Sequence, residues 1–422
     1  MIRIPFNRPF ATGDELEYIH AAIAAPKFSG DGSFTAQCHL LLEQSLGIQK
    51  VLLTTSCTHA LEMAALLLEI GAEDEVIAPS FTFPSAANAF VLRGAKPVFV
   101  DIRADTLNID ESQIEQRITA RTKAIFLVHY AGVGCEMDTI MAMARHHGIA
   151  VVEDNAHGLY GRYRGRYLGT LGQLATLSFH ETKNFTCGEG GALLINDAQF
   201  NERAEILREK GTDRSRFFRG EIDKYTWVDV GSSYLPADLL AAFLRAQLEH
   251  RDQIQSMRRQ IWEIYARELA SWAEANGVRL PIVPAECEQG YHMFYVLMPS
   301  FESRQALISH LAGLGILAVF HYLPLHLSPM GLSFGGRRGD CPLTEDLAGS
   351  PPAPSVFHWN EQFGAEPGNR RCARISLLDR IRKVVERKCC SLPSDSGRLM
   401  GDRLSTDQFQ NVLIAFVRLP AD

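Results

Sequence analysis

The chain has 422 residues, of which 46% are hydrophobic and 22% charged, and its formal net charge is −7. This length exceeds what one hydrophobic core usually serves, so we expect a large domain over residues 1–250 and a small C-terminal domain over 251–422. The negative charge argues against nucleic-acid binding, and no apolar run reaches the roughly 20 residues of a membrane span.

The cysteines and the N-terminus give an expectation about the compartment. The chain contains 9 cysteines, an odd number without a repeated spacing, which favours reduced thiols over a disulfide framework. The first residues lack the long apolar core of a secretory signal peptide. We therefore expect a cytoplasmic protein.

The N-terminal segment combines a helix with a glycine turn. Apolar residues at helical spacing predict a helix over 13–24. The turn Gly30-Asp31-Gly32 follows, and glycine permits the positive φ and close approach that a ligand or a neighbouring subunit requires. A plain surface turn would have the same residues, so Gly30 and Asp31 are candidates on this ground alone.

Two strand ends in the next stretch offer candidate cofactor contacts. A strand over 51–54 leads through small hydroxyl residues into a predicted helix over 60–70. Hydroxyl residues at a helix start either cap the helix or bind a phosphate, because free N–H groups and the positive dipole end point at an anion. The residues alone favour the cap. After the strand that begins at Glu75, Phe83 either stacks on a flat cofactor or belongs to the core.

Strands and helices then alternate along the chain. Strands are predicted over 97–101, 124–129 and 149–153, with helices over 111–118 and 137–147 between them. This rhythm predicts an α/β fold with a mainly parallel sheet that helices cover on both faces.

An acid and a histidine follow the strand over 149–153. Ligands of open α/β sheets bind outside the carboxyl ends of the strands, where Asp154 lies. Such a carboxylate can keep the ring nitrogen of a pyridine cofactor protonated, or it can cap the next helix. His157 either hydrogen-bonds the phenolic oxygen of that cofactor or has a structural role.

Lys183 lies in a loop between two predicted strands. One apolar run ends at Ser178, and a glycine-rich bend over 188–191 precedes the second. Desolvation in such a loop lowers the pKa of a lysine and favours the free amine, which attacks carbonyl groups. Most lysines are solvated surface charges, but the acid at position 154 favours a catalytic pair here.

Downstream of this loop, a helix over 199–210 precedes a bend rich in cations and aromatics. Arg214 and Arg219 suit the recognition of a nucleotide diphosphate, because guanidinium is a forked donor. An exposed loop would explain them as well. Tyr225 is a further candidate substrate contact, and one long helix is predicted over 236–272.

The second domain is predicted to begin near Ala275. It contains a strand over 293–298, a helix over 304–314 and a strand over 316–320. His321 and His326 follow as candidate contacts to a sugar or phosphate, and without acid or cysteine partners they make a metal site improbable.

The C-terminal stretch over 350–388 is rich in proline and then in basic residues. We interpret it as an insertion that is either functional or disordered. A final helix is predicted over 405–417.

Four separated motifs resemble the DegT/StrS family of pyridoxal-phosphate (PLP) sugar aminotransferases. They lie over 56–58, 81–83, 153–157 and 178–184, and the resemblance runs from Met1 to about Leu347. It implies fold type I of the PLP enzymes, covalent attachment of PLP at Lys183 and a pyridine nitrogen held by Asp154. The further cofactor contacts that it implies are Cys57, Thr58, Phe83, His157, Ser178 and, from the adjacent subunit, Ser233, where most of the family carries Asn.

The resemblance also implies a reaction, and it is closest to the subgroup that makes dTDP-4-amino-4,6-dideoxy-D-galactose for polysaccharide synthesis. The acceptor would be dTDP-4-keto-6-deoxy-D-glucose, the donor L-glutamate and the co-product 2-oxoglutarate, in a homodimer with shared active sites. Three alternatives stay open. A 3-keto-sugar aminotransferase would share every cofactor residue, a PLP-dependent sugar dehydratase usually carries His at the lysine position, and the C-terminal insertion suggests a non-catalytic binding or regulatory protein.

Overall fold

The computed structural model describes residues 2 and 4–349 and, for the backbone alone, residues 413–418. The expected insertion over 350–388 lies outside these residues, and the division into two domains stays a prediction. Within the described ranges, no helix is both long and apolar enough to cross a lipid bilayer.

Thirteen strands are found in the described residues, and seven of them form the central sheet. The strands are β1 (Lys50–Thr54), β2 (Glu75–Pro79), β3 (Lys96–Val100), β4 (Thr122–Val128), β5 (Ala150–Asp154), β6 (Arg162–Tyr163), β7 (Arg166–Tyr167), β8 (Leu174–Ser178), β9 (Gly191–Ile195), β10 (Cys287–Glu288), β11 (Met293–Met298), β12 (Val319–Phe320) and β13 (Leu413–Arg418). The order in the central sheet is β1-β9-β8-β5-β4-β2-β3. Strand β9 is antiparallel to both neighbours and the other adjacent pairs are parallel, which confirms the predicted α/β fold with a mainly parallel sheet.

The α-helices connect these strands and cover the sheet. They are α1 (Glu15–Ala24), α2 (Ser33–Leu46), α3 (Cys57–Leu67), α4 (Pro84–Val91), α5 (Met137–His147), α6 (Asn201–Arg208), α7 (Arg214–Phe218), α8 (Asp238–Glu249), α9 (Arg251–Ala275), α10 (Phe301–Gly313), α11 (Pro329–Ser333) and α12 (Pro342–Ala348). The helix predicted over 137–147 and the strand predicted over 293–298 are confirmed at their predicted bounds.

The sheet is buried on both faces because successive side chains of a strand point to opposite sides. On β1, Leu52 packs with α3, α4 and α6, whereas Val51 and Leu53 pack with α2 and α8. On β4, Phe126 joins the first layer and Ile125 packs towards α5. Apolar residues therefore run almost without interruption along these strands, as the sequence shows.

A smaller α/β layer follows in the chain. Strands β11, β13 and β12 are parallel neighbours in that order. Helix α9 buries one face, including Tyr265 and Trp272, against Phe294 of β11 and against α10. This layer places the segment before β11 beside the carboxyl ends of the central strands.

Three element predictions were wrong in part. The single helix expected over 236–272 is two helices, because the chain leaves helical geometry at His250 (φ −94°, ψ 21°) and its two halves pack on different layers. The helix expected over 111–118 is two short 3₁₀ turns, and Asp110 caps the first by accepting from the Ser112 N–H. Residues 413–417 form a strand instead of a helix, since a short apolar run suits both and the sheet decides; the rest of that predicted helix lies outside the described residues.

Candidate active site

The carboxyl edge of the central sheet opens into a cavity of about 500 Å³, the main cavity. Segments after β1, β2, β4, β5 and β8 form its floor, and residues of the smaller layer form its roof. Eight of the residues singled out from the sequence line it, namely Cys57, Thr58, Phe83, Asp154, His157, Ser178, Lys183 and His321. Lys183 and Asp154 therefore lie in one cavity.

The loop after β8 directs Lys183 towards this cavity. The Phe179 N–H donates to the Gly190 carbonyl over 2.8 Å, and the Glu181 N–H donates to the Gly188 carbonyl over 2.9 Å. Gly188 turns the chain with φ +86°, in the region that favours glycine. Burial lowers the pKa of Lys183, while the nearby acidic groups of Cys57 and Asp154 oppose this shift. The side chain is thus closer to a reactive free amine than a surface lysine is.

Asp154 ends β5 with its carboxylate in the cavity wall, and the side chain is only 7% exposed. Burial raises the pKa of Asp154, and the Ala156 N–H, which donates to Oδ1 over 3.1 Å, opposes the shift. Among the described residues, no cation forms an ion pair within 4 Å of this carboxylate. A protonated pyridine nitrogen is the kind of partner that such a buried acid lacks.

A buried pair fixes the strand end that carries this acid. His129 Nε2 lies 2.8 Å from Glu153 Oε2, and neither side chain is exposed. The two Glu153 oxygens also accept from the backbone N–H groups of residues 169, 171 and 172. These bonds hold β5 against the chain that enters β8. His129 therefore has a structural role in this pair.

The start of α3 forms an anion-binding cup. Ser56 caps the helix by accepting from the His59 N–H over 3.1 Å, and Thr58 Oγ1 donates to Ser85 Oγ over 2.9 Å. A Cβ on Gly191 would lie 2.4 Å from the Cys57 nitrogen, so only glycine lets β9 approach this helix so closely. The first N–H groups of the helix, with the hydroxyls of Thr58, Ser85 and Ser178, suit a phosphate.

These features fit PLP, the cofactor that the resemblance implies. The cup at α3 matches its phosphate, Asp154 matches its ring nitrogen and Lys183 matches its aldehyde. Phe83 lines the cavity with 61% of its surface exposed, whereas Phe81 is buried in the core. Phe83 is therefore accessible from the cavity, and its stacking on the cofactor stays a prediction.

His157 lines the cavity as a hydrogen-bond donor. The Ala131 N–H donates to its Nδ1 over 3.3 Å, so the proton of the neutral ring resides on Nε2. Burial and the charge of Lys183 lower the pKa of His157 well below its usual value. The neutral ring can therefore donate from Nε2 to an oxygen in the cavity.

Sequence reasoning did not single out several residues of the cavity wall, among them Phe6, His292 and Tyr322. His292 directly precedes β11. The only signal in the sequence that could have found it is a histidine immediately before an apolar strand. Tyr322 stacks on His321 with the ring centroids 4.3 Å apart. Burial lowers the pKa of His321 to about 4.

Other candidate residues lie in a different cavity of about 620 Å³, the second cavity. It contains Gly30, Asp31, Arg214, Arg219 and Ser233. Its cations are already paired, since Arg208 bonds Asp31, Arg214 lies 2.9 Å from Glu209, and Arg219 lies 2.7 Å from Glu205.

The two remaining candidates line neither cavity. Tyr225 is 49% exposed and packs beside Phe217. His326 is fully buried, with Nδ1 2.6 Å from Ser80 Oγ and Nε2 3.0 Å from Glu345 Oε1. These contacts occupy both ring nitrogens and tie α12 to the end of β2, and a substrate contact of His326 stays a prediction.

Comparisons with known proteins agree with this geometry. The model of the DegT/DnrJ/EryC1/StrS aminotransferase family matches residues 10–352. GDP-perosamine synthase of Escherichia coli O157:H7 is 32% identical over 348 residues, which cover 82% of this chain and 90% of the relative. The spore coat polysaccharide biosynthesis protein SpsC of Bacillus subtilis is 31% identical over 347 residues, covering 80% and 88%.

Solved structures give the same result for the fold. The putative sugar aminotransferase Spr1654 from Streptococcus pneumoniae, in its PMP form, superimposes with a TM-score of 0.75 at 26% identity, covering 81% of this chain and 90% of that one. DesV of S. venezuelae, solved in complex with a ketimine intermediate, has a TM-score of 0.71 at 30% identity and covers 80% and 90%.

Proposed function

The chain belongs to the DegT/DnrJ/EryC1/StrS aminotransferase family, whose members use PLP, and we propose that it transfers the amino group of L-glutamate to a dTDP-linked keto sugar. The observation that carries the proposal is the presence of Lys183 and Asp154 in one buried cavity beside an anion-binding helix start. The acceptor proposed is dTDP-4-keto-6-deoxy-D-glucose, and the product is dTDP-4-amino-4,6-dideoxy-D-galactose.

The residues of the main cavity have distinct tasks in this reaction. Bound PLP supplies an electron sink that stabilises negative charge on the carbon next to the amino group. The cup at α3 would hold the phosphate of PLP, and Asp154 would keep its pyridine nitrogen protonated. Lys183 would bind its aldehyde carbon and, as a free amine, would act as the general acid–base that carries a proton.

The choice of dTDP and of the 4-keto position rests on the motif resemblance. Relatives named GDP-perosamine synthase make a GDP-linked keto sugar the first competitor. A 3-keto sugar nucleotide is the second, since the cofactor residues would be the same. Lys183 disfavours a dehydratase, and the presence of Lys183 and Asp154 in one cavity disfavours a non-catalytic binding protein.

A homodimer in the cytoplasm completes the proposal. The second cavity holds Ser233 and four of the candidate substrate residues, but it is separate from the cavity of Lys183. Exposed apolar side chains lie near it in the sequence, and Trp227 is 77% exposed. A second copy that covers this surface would bring its own second-cavity residues to the main cavity.

The test is a pair of half-reactions with the purified protein. The PLP-loaded protein is mixed with L-glutamate, and formation of pyridoxamine phosphate and 2-oxoglutarate is measured. The aminated protein then receives dTDP-4-keto, GDP-4-keto and dTDP-3-keto sugars in separate reactions, and NMR identifies the products. The proposal predicts turnover of dTDP-4-keto-6-deoxy-D-glucose with an axial 4-amine. Preference for the GDP sugar or the 3-keto sugar would overturn the substrate assignment, and failure of the glutamate step would overturn the donor.

A further inference from the structure

The side chain of Asn184 joins the lysine loop to the smaller layer. Asn184 directly follows Lys183, is 8% exposed, and bonds three groups outside its loop. Its Nδ2 donates to the Gly290 carbonyl over 2.6 Å and to Gln255 Oε1 over 3.2 Å, and its Oδ1 lies 3.0 Å from His292 Nδ1. The backbone that carries Lys183 is therefore tied to the residue that roofs the same cavity.

These contacts determine which ring nitrogen of His292 carries the proton. A backbone carbonyl only accepts hydrogen bonds, so the Asn184 amide nitrogen must face Gly290. The amide oxygen then faces His292 Nδ1 and requires a donor there. In the neutral ring the proton lies on Nδ1, and Nε2 is an acceptor.

The position of this ring is fixed from its backbone as well. The Arg258 guanidinium of α9 donates to the Tyr291 carbonyl over 3.0 Å and to the His292 carbonyl over 2.6 Å. His292 also stacks on His157, with centroids 4.4 Å apart and planes 24° from parallel. His157 has its proton on Nε2, so two stacked neutral rings present opposite groups, a donor from His157 and an acceptor from His292.

The charged and titratable groups around His292 keep it neutral. Burial lowers its pKa well below the usual value, and His157, Lys183, Arg258 and His321 add to the shift. Around Lys183, the acidic groups that oppose the lowering of its pKa are Cys57 and Asp154. Thus the cavity wall that contains the amine-bearing lysine also contains an uncharged imidazole with a free lone pair.

We propose that His292 is a further active-site residue whose Nε2 accepts a hydrogen bond from a primary amine in the main cavity, and that Asn184 is the positioning residue that fixes its tautomer. The amine is that of Lys183 or, if the proposed function holds, that of the incoming amino donor. An uncharged acceptor orients the N–H and leaves the nitrogen lone pair free to react, which an imidazolium donor would block.

The tautomer is tested first, in the full-length protein without cofactor. Nitrogen-15 NMR of the histidine side chains assigns the protonated ring nitrogen of His292, with His292→Phe identifying its signals. We expect protonation at Nδ1 in the parent protein and its loss in Asn184→Ala. Asn196→Ala is the matched control, because Asn196 Nδ2 also donates to two backbone carbonyls, those of Gly169 and Gly172, outside the cavity. A proton on Nε2 in the parent, or no change in Asn184→Ala, would overturn the proposal.

The amine is tested second, by comparing His292→Gln, which keeps an acceptor near Nε2, with His292→Phe, which keeps only a ring. One arm measures the pKa of the Lys183 amine in the cofactor-free protein through the pH dependence of its reaction with a small aldehyde. The other measures KM for L-glutamate in the first half-reaction, separately from the maximal rate. We expect His292→Phe, but not His292→Gln, to lower that pKa or to raise KM by about 10-fold. A change in the pKa of Lys183 identifies Lys183 as the amine, and a change in KM alone identifies the amino donor. If neither the pKa nor KM changes, the proposal is contradicted, whatever the sugar substrate is.

Discussion

The main cavity and the second cavity differ in how their charged side chains are partnered. In the main cavity, Lys183 and Asp154 have no ion-pair partner within 4 Å among the described residues, and the pKa values of His157, His292 and His321 in its wall are lowered. In the second cavity, the arginines Arg208, Arg214 and Arg219 each bond a carboxylate. A buried group without an ion-pair partner has a shifted pKa, which prepares it for chemistry. An arginine that bonds a carboxylate near the surface can instead exchange that carboxylate for an anionic ligand on binding.

The largest loss is expected from removing the unpaired amine. Lys183→Ala should abolish turnover, because Lys183 is the only lysine among the described residues of the cavity wall and its amine is needed to hold the cofactor and move the proton. Loss of product formation and of the visible absorbance of bound PLP would be measured together. Lys123→Ala, at an exposed position on β4, is the control and should retain both. Full turnover in Lys183→Ala would show that the Lys183 amine is not catalytic, and the contrast between the two cavities would then have no basis.

Removal of the unpaired acid comes next. Asp154→Asn keeps the shape but cannot hold a protonated pyridine nitrogen, so kcat should fall by roughly 100-fold or more. The exposed Asp223 gives the control variant Asp223→Asn. A fall below 10-fold in Asp154→Asn would mean that the carboxylate does not face the ring nitrogen.

The same variant should stabilise the protein in the absence of cofactor. Burial raises the pKa of Asp154, so the charged carboxylate costs stability once the pH rises through that raised value. Asp154→Asn should therefore raise the melting temperature of the cofactor-free protein at pH 7. The gain should disappear below about pH 4, where the acid is protonated in folded and unfolded chains alike. Equal melting temperatures at pH 7 would contradict the burial argument.

Mixed dimers test whether the two cavities meet across subunits. Chains with Lys183→Ala and chains with Arg214→Ala are inactive or weak alone, but co-expression should restore roughly a quarter of the activity, because half of the dimers are mixed and each has one intact site. Lys183→Ala co-expressed with Asp154→Asn is the control and should restore nothing, since both residues belong to the same cavity. No recovery in the first pair would mean that each active site uses the main cavity and the second cavity of the same chain.

A smaller effect is expected from Arg219. Arg219→Ala should raise KM for the sugar nucleotide by about 10-fold, because a forked donor to the diphosphate is lost. The KM for L-glutamate should not change. The matched control is Arg267→Ala, on the exposed face of α9 and paired with Glu268. An equal rise in both KM values would indicate a general structural defect.

The smallest effect on catalysis is expected at His326, which the sequence suggested as a substrate contact. His326→Ala removes a buried histidine from Ser80 and Glu345 and should cost about 3 kcal/mol of unfolding free energy in urea. At temperatures where the variant stays folded, KM for both substrates should remain close to that of the parent. A selective rise in KM for the sugar would return His326 to the binding site.

These differences show what the sequence could and could not predict. Lys183 and Asp154 were found because each follows an apolar strand, and strand ends meet at one edge of a parallel sheet. His292 was missed because its role comes from Asn184, which lies 108 positions away in the chain. The contacts of His326 with Ser80 and Glu345 were not foreseen, because burial and long-range pairing leave no trace in local spacing. The break at His250 was also missed, because it depends on the packing of α8 and α9 on different layers, which local spacing does not show.

The central claim is that Lys183 is the residue that holds PLP in the main cavity. Borohydride reduction of the PLP-loaded protein, followed by digestion and mass spectrometry, tests it directly, because reduction makes the link between lysine and cofactor permanent. The account predicts a single phosphopyridoxyl group, on the peptide that contains Lys183, and a much weaker label in Asp154→Asn. A label on another lysine, or no label in the parent protein, would contradict it.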